Sequence, residues 1–271
     1  QLSYDESNKE YRHIFDYMIL KQTNHLINEI KSSKSLDNKI IACSAIILTG
    51  LSYKIEKNYL NFGINYLRKI IKYSIDNQGF SKSRNIKQQI FYLKYFILIR
   101  EWFKEAQVEI PEHLDEIIYY LGQAYAYFWQ NTHVSLLFNG NNNHDNQDFD
   151  NYLKRLGYKF KNENKDYCGY TILQNKKICL AMDTGSSPEF KHSESYQSGA
   201  LSFEIVSNGK KLISNCGYFK KGNHKLNRLS KSSATHSTLV IDDNSSCKFF
   251  RKEDFWILKK GLRIIEKKTI Y

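Results

Sequence analysis

The chain has 271 residues, 40 basic against 28 acidic side chains for a formal charge of +12, 41% hydrophobic and 14% aromatic residues, two prolines and five cysteines. Apolar content on that scale excludes a disordered or collagenous chain, and cysteines so few and odd in number exclude a disulfide-stapled scaffold. The length allows one large or two ordinary domains.

Helical sequence comes first. Apolar residues recur at three- and four-residue spacing over 8–31, 37–54, 57–76, 86–106 and 111–130, and the short connections between them predict antiparallel helical hairpins. Residues 40–51 form the longest nearly unbroken apolar stretch. It is too short to cross a bilayer and contains Ser44, Thr49 and Gly50, so it reads as a buried helix, and no transmembrane segment is expected. Pro111 falls at a helix start, where its missing N–H costs nothing. The polar run 138–146, with five asparagines and a histidine, reads as a long loop that ends the helical half.

Beyond Tyr167 the period becomes two. Strands are predicted over 168–173, 177–183, 200–207, 211–216, 236–243, 248–258 and 262–271, with Asn208-Gly209 as a two-residue hairpin turn. Helices followed by strands, without alternation, predict an α+β chain with an all-α part over 1–150 and an antiparallel β part over 151–271. Gln1 opens directly into helical sequence and the last predicted strand runs to Tyr271, so both parts are expected to continue beyond these ends. A leader peptide is neither seen nor excluded.

A pI near 9.2 suits a polyanionic partner. Against that, only eight of the cations are arginine, and the lysines are spread as a composition bias would spread them. A nucleic acid, an acidic polysaccharide and an anionic surface all fit such a charge, but no basic run of the nucleic-acid type occurs, so nucleic acid is not expected. The five cysteines show neither a CxxC pair nor ligand spacing with histidine, and read as small core residues. Nothing in the sequence fixes an oligomeric state.

Gly199-Ala200-Leu201-Ser202-Phe203-Glu204-Ile205, then Asn208-Gly209, Leu212-Ile213-Ser214-Asn215-Cys216-Gly217 and Ala234-Thr235-His236-Ser237-Thr238, resembles the core of the heparinase II/III family. Gly169-Tyr170 and Asp183-Thr184-Gly185 resemble the start of that family's sandwich. Asn77-Gln78-Gly79 with Ser83-Arg84-Asn85 resembles its toroid loop. The resemblance implies the C-terminal part of an α/α toroid over 1–150, an antiparallel β-sandwich over 151–271, and a place in the periplasm or cell envelope. It also implies cleavage of uronate polysaccharides by β-elimination. That chemistry needs a neutralised carboxylate, a base beside the C5 proton and an acid for the leaving 4-oxygen.

Carried onto this chain, the family's toroid Asn-His pair falls on Asp37-Asn38, with Asn24-His25 one helix earlier as the alternative. Its proton-transferring Tyr falls near Lys87, with Tyr92 and Tyr95 further on. Its sandwich His falls on Ser195, and its zinc-binding His, Asp and His fall on Gln197, Asn215 and His236. Amide side chains bind zinc poorly, so neither zinc nor another cofactor is expected. Two readings stay open. In one, His236, His192 and Lys87 act as acid or base, Asn215 and Gln197 donate to substrate, and Lys87, Arg84 and Arg228 neutralise carboxylates. In the other, Gln197, Asn215 and His236 form a satisfied polar network between strands, and His192 sits on the surface of a polar loop. The first gives a lyase; the second gives a glycan-binding or envelope-assembly protein on the same fold. His144 reads as part of a solvated turn. The aromatic clusters around Phe91-Tyr92, Tyr95-Phe96, Tyr119-Tyr120 and 125–129 serve either as core or as sugar-stacking surfaces.

Overall fold

The computed structural model describes residues 8–53, 57–130, 132–221 and 224–268. The chain divides into two compact units, Gln1–Tyr73 with Lys94–Ile118, and Ser74–Leu93 with Tyr119–Tyr271. Residues 74–93 belong with the β part because Phe80 and Arg84 pack on Tyr170, the first residue of a strand.

The first unit is built on helices α1 (Lys9–Glu29), α2 (Leu36–Ser52) and α3 (Lys57–Ser74), and it takes in much of α4 (Ile86–Glu105) and α5 (Glu112–Tyr125). Ser35 caps α2 by accepting from Asn38 N at 3.3 Å, and Asp37 adds a favourable charge to the first turn. Gly50 and Gly63 let α2 and α3 touch: a Cβ on Gly50 would lie 2.5 Å from Leu60 N, and one on Gly63 2.5 Å from Ile47 Cγ1. Ile40, Cys43, Ile46, Ile47 and Leu67 are buried in this unit. Burial pushes the Cys43 thiol up to about 12, which leaves it inert.

In the second unit a π-helical turn, Ala126–Gln130, ends the run begun by α5, and α6 (Gln147–Arg155) follows the asparagine-rich loop. Strands β1 (Asp166–Tyr167), β2 (Tyr170–Gln174), β3 (Ile178–Asp183), β4 (Phe203–Ser207) and β5 (Lys210–Ile213) form one antiparallel sheet in chain order. A short helix α7 (Lys225–Ser230) precedes a second sheet of β6 (Lys248–Lys252) and β7 (Phe255–Lys260). Asn208 and Gly209 turn with φ of 48° and 74°, as the dipeptide predicts.

The strand predictions miss in four places. Cys168 and Gly169, at φ of 49° and 77°, make a two-residue turn between β1 and β2 where one strand was expected. Glu253, at φ of 54°, turns the predicted strand 248–258 into the β6–β7 hairpin. Residues 236–243 form no strand, because Thr238 Oγ1 donates to Ala200 O and Ser237 N to Asn215 Oδ1 in place of a ladder. Within 262–268 the backbone N–H groups of Leu262 and Ile264 go to the hydroxyls of Ser187 and Ser186, again without a ladder. Residues 269–271 of that predicted strand lie outside the described residues, as does residue 54 of a predicted helix.

Candidate functional site

Arg84 opens α4 with a φ of 58°, and its guanidinium turns into the interior of the second unit. There it pairs with Asp183 at 2.9 Å, donates to Gly169 O at 2.9 Å and to Ser186 O at 3.0 Å, and lies 4.6 Å over the Tyr170 ring. Asp183, 1% exposed, also accepts from Asn139 Nδ2 at 2.7 Å. Burial works against the charge on Arg84, and Asp183 more than offsets it, so the guanidinium holds its proton more firmly than usual. This corrects the expectation that Arg84 meets a substrate carboxylate: its fork is filled by protein acceptors.

Gln197 is committed in the same way. Its Oε1 accepts from Gly140 N at 3.1 Å, and its Nε2 donates to Gly217 O at 2.9 Å and to Ser230 O at 2.6 Å. With the residue 1% exposed, neither end of the amide is offered to a ligand. Ser230 O also lies 3.0 Å from His236 Nε2, and since a carbonyl only accepts, that nitrogen carries the proton. Burial lowers the His236 pKa, which favours the neutral ring and leaves the lone pair on Nδ1. Asn215 is buried, accepts from Ser237 N at 3.0 Å through Oδ1, and its Nδ2 meets no protein acceptor. These three residues do not fit the zinc ion that the resemblance implies. The amide oxygens are occupied by backbone N–H groups, His236 turns its N–H to a carbonyl, and among the described residues no three His, Cys, Asp or Glu side chains cluster to hold a metal.

The remaining predicted residues are scattered. Asn85 caps α4 by accepting from Gln88 N at 3.1 Å, and its Nδ2 donates to Ser195 Oγ at 3.0 Å. Lys87 is exposed on the first turn of that helix. Arg228 is exposed on α7, 5.2 Å over Trp256. His192, expected on the surface, is buried at 6% exposure in a short turn, and its pKa is lowered by burial and then by Lys191 and Lys82. In the helical unit, Asp37 and Asn38 belong to the capped first turn of α2, Asn24 accepts from Tyr59 OH at 2.9 Å, and His25 is exposed on α1. Tyr92 is fully buried and Tyr95 half-buried.

Sequence reasoning misses the most unusual cation. Lys231 is 2% exposed and donates to Glu194 O at 2.6 Å and Tyr196 O at 2.9 Å, with the rings of Phe249 and Tyr218 at 4.9 and 5.4 Å. Burial lowers its pKa to about 7. A lysine inside the serine-rich run 230–233 carries no sequence signal for such a place. His144, expected in a solvated turn, is half-buried with Nδ1 2.6 Å from Asn142 O, and it stacks on Trp129 at 6.3 Å. It lines a cleft of about 740 Å³ with Trp129, Asp145, Asp150 and Lys211. None of the predicted site residues lines that cleft.

Polar residues staple the long loops of the second unit to its antiparallel sheet, and solved structures share the overall fold. The chain superposes on a crystal structure of heparinase III with a TM-score of 0.68 at 16% identity, over 92% of this chain and 46% of that one. On a mutant of the heparan sulfate lyase HepC from Pedobacter heparinus it superposes with a TM-score of 0.69 at 14% identity, over 88% of this chain and 43% of that one. Identities this low establish the fold, which is polysaccharide-lyase-like, and the chain spans less than half the length of either structure. Residues 162–261 match the family model described as Heparinase II/III-like, C-terminal, which supports a diverged relationship of this segment to that family. None of the curated proteins compared with the chain matches it. Among the described residues no helix is long and apolar enough to cross a membrane.

Proposed function

We propose that this chain recognises an acidic, uronate-containing polysaccharide in the periplasm or cell envelope, as part of an α/α toroid joined to a β-sandwich, and that binding rather than cleavage is its task. The supporting observation is the fate of Gln197, whose amide is spent on Gly140, Gly217 and Ser230. β-Elimination needs donors aimed at a developing charge, and losing one such preorganised donor costs about 2.7–4 kcal/mol of transition-state stabilisation. Here Gln197 and Arg84 hold the fold together, and the exposed cations Lys87 and Arg228 remain to attract a polyanion.

One observation favours the lyase reading instead. Burial lowers the His236 pKa and so favours the neutral ring, whose Nδ1 lone pair has the character of a proton acceptor. The two readings separate on one experiment, in which the chain is incubated with heparan sulfate, hyaluronan and alginate. Absorbance of unsaturated uronate and retention on the immobilised polymers are followed together. Salt-sensitive retention with no rise in absorbance is expected. A rise that disappears in a folded His236→Ala variant establishes elimination, and neither retention nor cleavage overturns both readings.

A further inference from the structure

Aromatic rings usually withdraw from water, yet Tyr119 is 58% exposed in the second unit, on the rim of a groove of about 380 Å³. Tyr120 meets it edge to face at 5.5 Å, and Tyr167 forms another wall. The amides of Gln78, Gln123 and Asn164 complete most of the lining. The groove is built rather than incidental. A Cβ on Gly79 would fall 2.1 Å from Tyr120 Cβ, so only glycine lets the 76–79 turn lie flat on that side chain. Asp76 Oδ1 fixes the turn by accepting from Gln78 N at 2.8 Å and Phe80 N at 2.9 Å, and Gln89 Nε2 donates to Gly79 O at 2.9 Å. On the opposite side Asn162 Oδ1 accepts from Asn164 N at 3.0 Å.

Charge decides what the groove takes. In a chain of net charge +12, no lysine or arginine lines it, so an anion finds no partner there. Its one carboxylate, Asp166, is engaged by Lys267 and Thr171, and this holds its pKa below the usual range and leaves little to attract a free cation. Ring faces and amide donors and acceptors remain, at a volume near the lower end for small-ligand clefts. A pyranose ring matches both, with one apolar C–H face for a tyrosine and a rim of hydroxyls for the amides.

We infer that this groove binds an uncharged pyranose unit, through stacking on Tyr119 and hydrogen bonds to Gln78, Gln123 and Asn164. The inference goes beyond the acidic-polymer reading and does not rest on it: the groove takes in the aromatic pair Tyr119-Tyr120 but none of the residues predicted to neutralise or deprotonate a uronate. The test titrates the chain with cellobiose and with N,N′-diacetylchitobiose, followed by protein NMR shifts, with glucuronate as the charged control. Saturable binding of a neutral disaccharide is expected, with a Kd on the order of 1 mM. Tyr119→Ala should weaken it about tenfold, Tyr119→Phe should preserve it, and retention on acidic polymers should not change in either variant. No saturation by either disaccharide, affinity unaffected by Tyr119→Ala in a folded protein, or tighter binding of glucuronate overturns the inference. Loss of acidic-polymer retention in the unmodified chain would count against the earlier proposal alone.

Discussion

The two units bury different chemistry. In the helical unit the interior is largely apolar, with Ile40, Ile46, Ile47, Leu67 and Phe103 almost fully enclosed. In the other, Asn139, Asp183, Gln197, Glu204, Asn215 and Lys231 are as deeply buried as the aromatics around them. Backbone bookkeeping explains the contrast. A helix satisfies its own N–H and C=O groups, so its neighbours need supply only apolar surface. Loops that run through an interior leave those groups unpaired, and side chains must complete them. Gly140 N, Gly217 O and Ser230 O are three such groups, and one glutamine serves all of them.

If that account is right, removing a polar partner in the β-containing unit costs far more than trimming the helical core. Arg84→Met should be the most damaging change, at about 3–5 kcal/mol, because Asp183 is left charged without its cation. Ile46→Val in the helical unit should cost about 0.5–1.5 kcal/mol. Urea midpoints measured on both variants compare them directly, and equal shifts would break the contrast. Arg84→Lys keeps the charge but loses the fork, and should fall between.

Lys231 sharpens the comparison through pH. Its pKa is about 7 in the fold against 10.5 for the free side chain, so between those values the unfolded chain binds the extra proton. Stability therefore rises with pH from about 7 towards 10.5, and below about 7 the full cost of burying the ammonium is present. Glu194 is the nearby charge that favours the protonated form and limits the shift. His236 and His192, also lowered by burial, act in a lower window: stability falls as pH drops below 6.5, where the unfolded rings take up protons first. Urea titrations from about pH 7 to about 9 should show the rise. Lys231→Met, which keeps a flexible apolar stem against Tyr218 and Phe249, should flatten it.

How much of this the sequence carries follows from distance along the chain. The helices are visible because their period repeats within one segment, and the Asn208-Gly209 hairpin because its turn chemistry is local. The turn at Glu253 stays hidden, since Glu does not mark positive φ as Asn and Gly do, and at Cys168-Gly169 only the second position carries such a mark. At the site, position is readable and direction is not. Aligned motifs find Gln197 and Arg84, but where those side chains point depends on Gly140, Ser230 and Ser186, which lie 57, 33 and 102 residues away. The same limit hides Lys231, whose acceptors are more than 30 residues upstream.

The smallest effect tests the other side of the comparison. Thr23 and Thr49 form a hydroxyl pair in the helical interior, their hydroxyls 3.1 Å apart, and each also reaches a carbonyl four residues back, Ile19 O at 2.9 Å and Ala45 O at 3.0 Å. Two protons serve three contacts, so one contact lacks a donor at any moment. Both carbonyls lie on helices whose own N–H groups already approach them, so no backbone group is orphaned when the hydroxyls are lost. The double variant Thr23→Val/Thr49→Val should therefore change the urea midpoint by less than about 1 kcal/mol equivalent. Gln197→Met, by contrast, strands Gly140 N and takes the amide donor from Gly217 O, while Ser230 O keeps His236 Nε2, at about 1–3 kcal/mol for each buried group left unpaired. A threonine pair that proved as costly as the glutamine would mean that burial depth, and not backbone supply, sets the need for polar side chains in this chain.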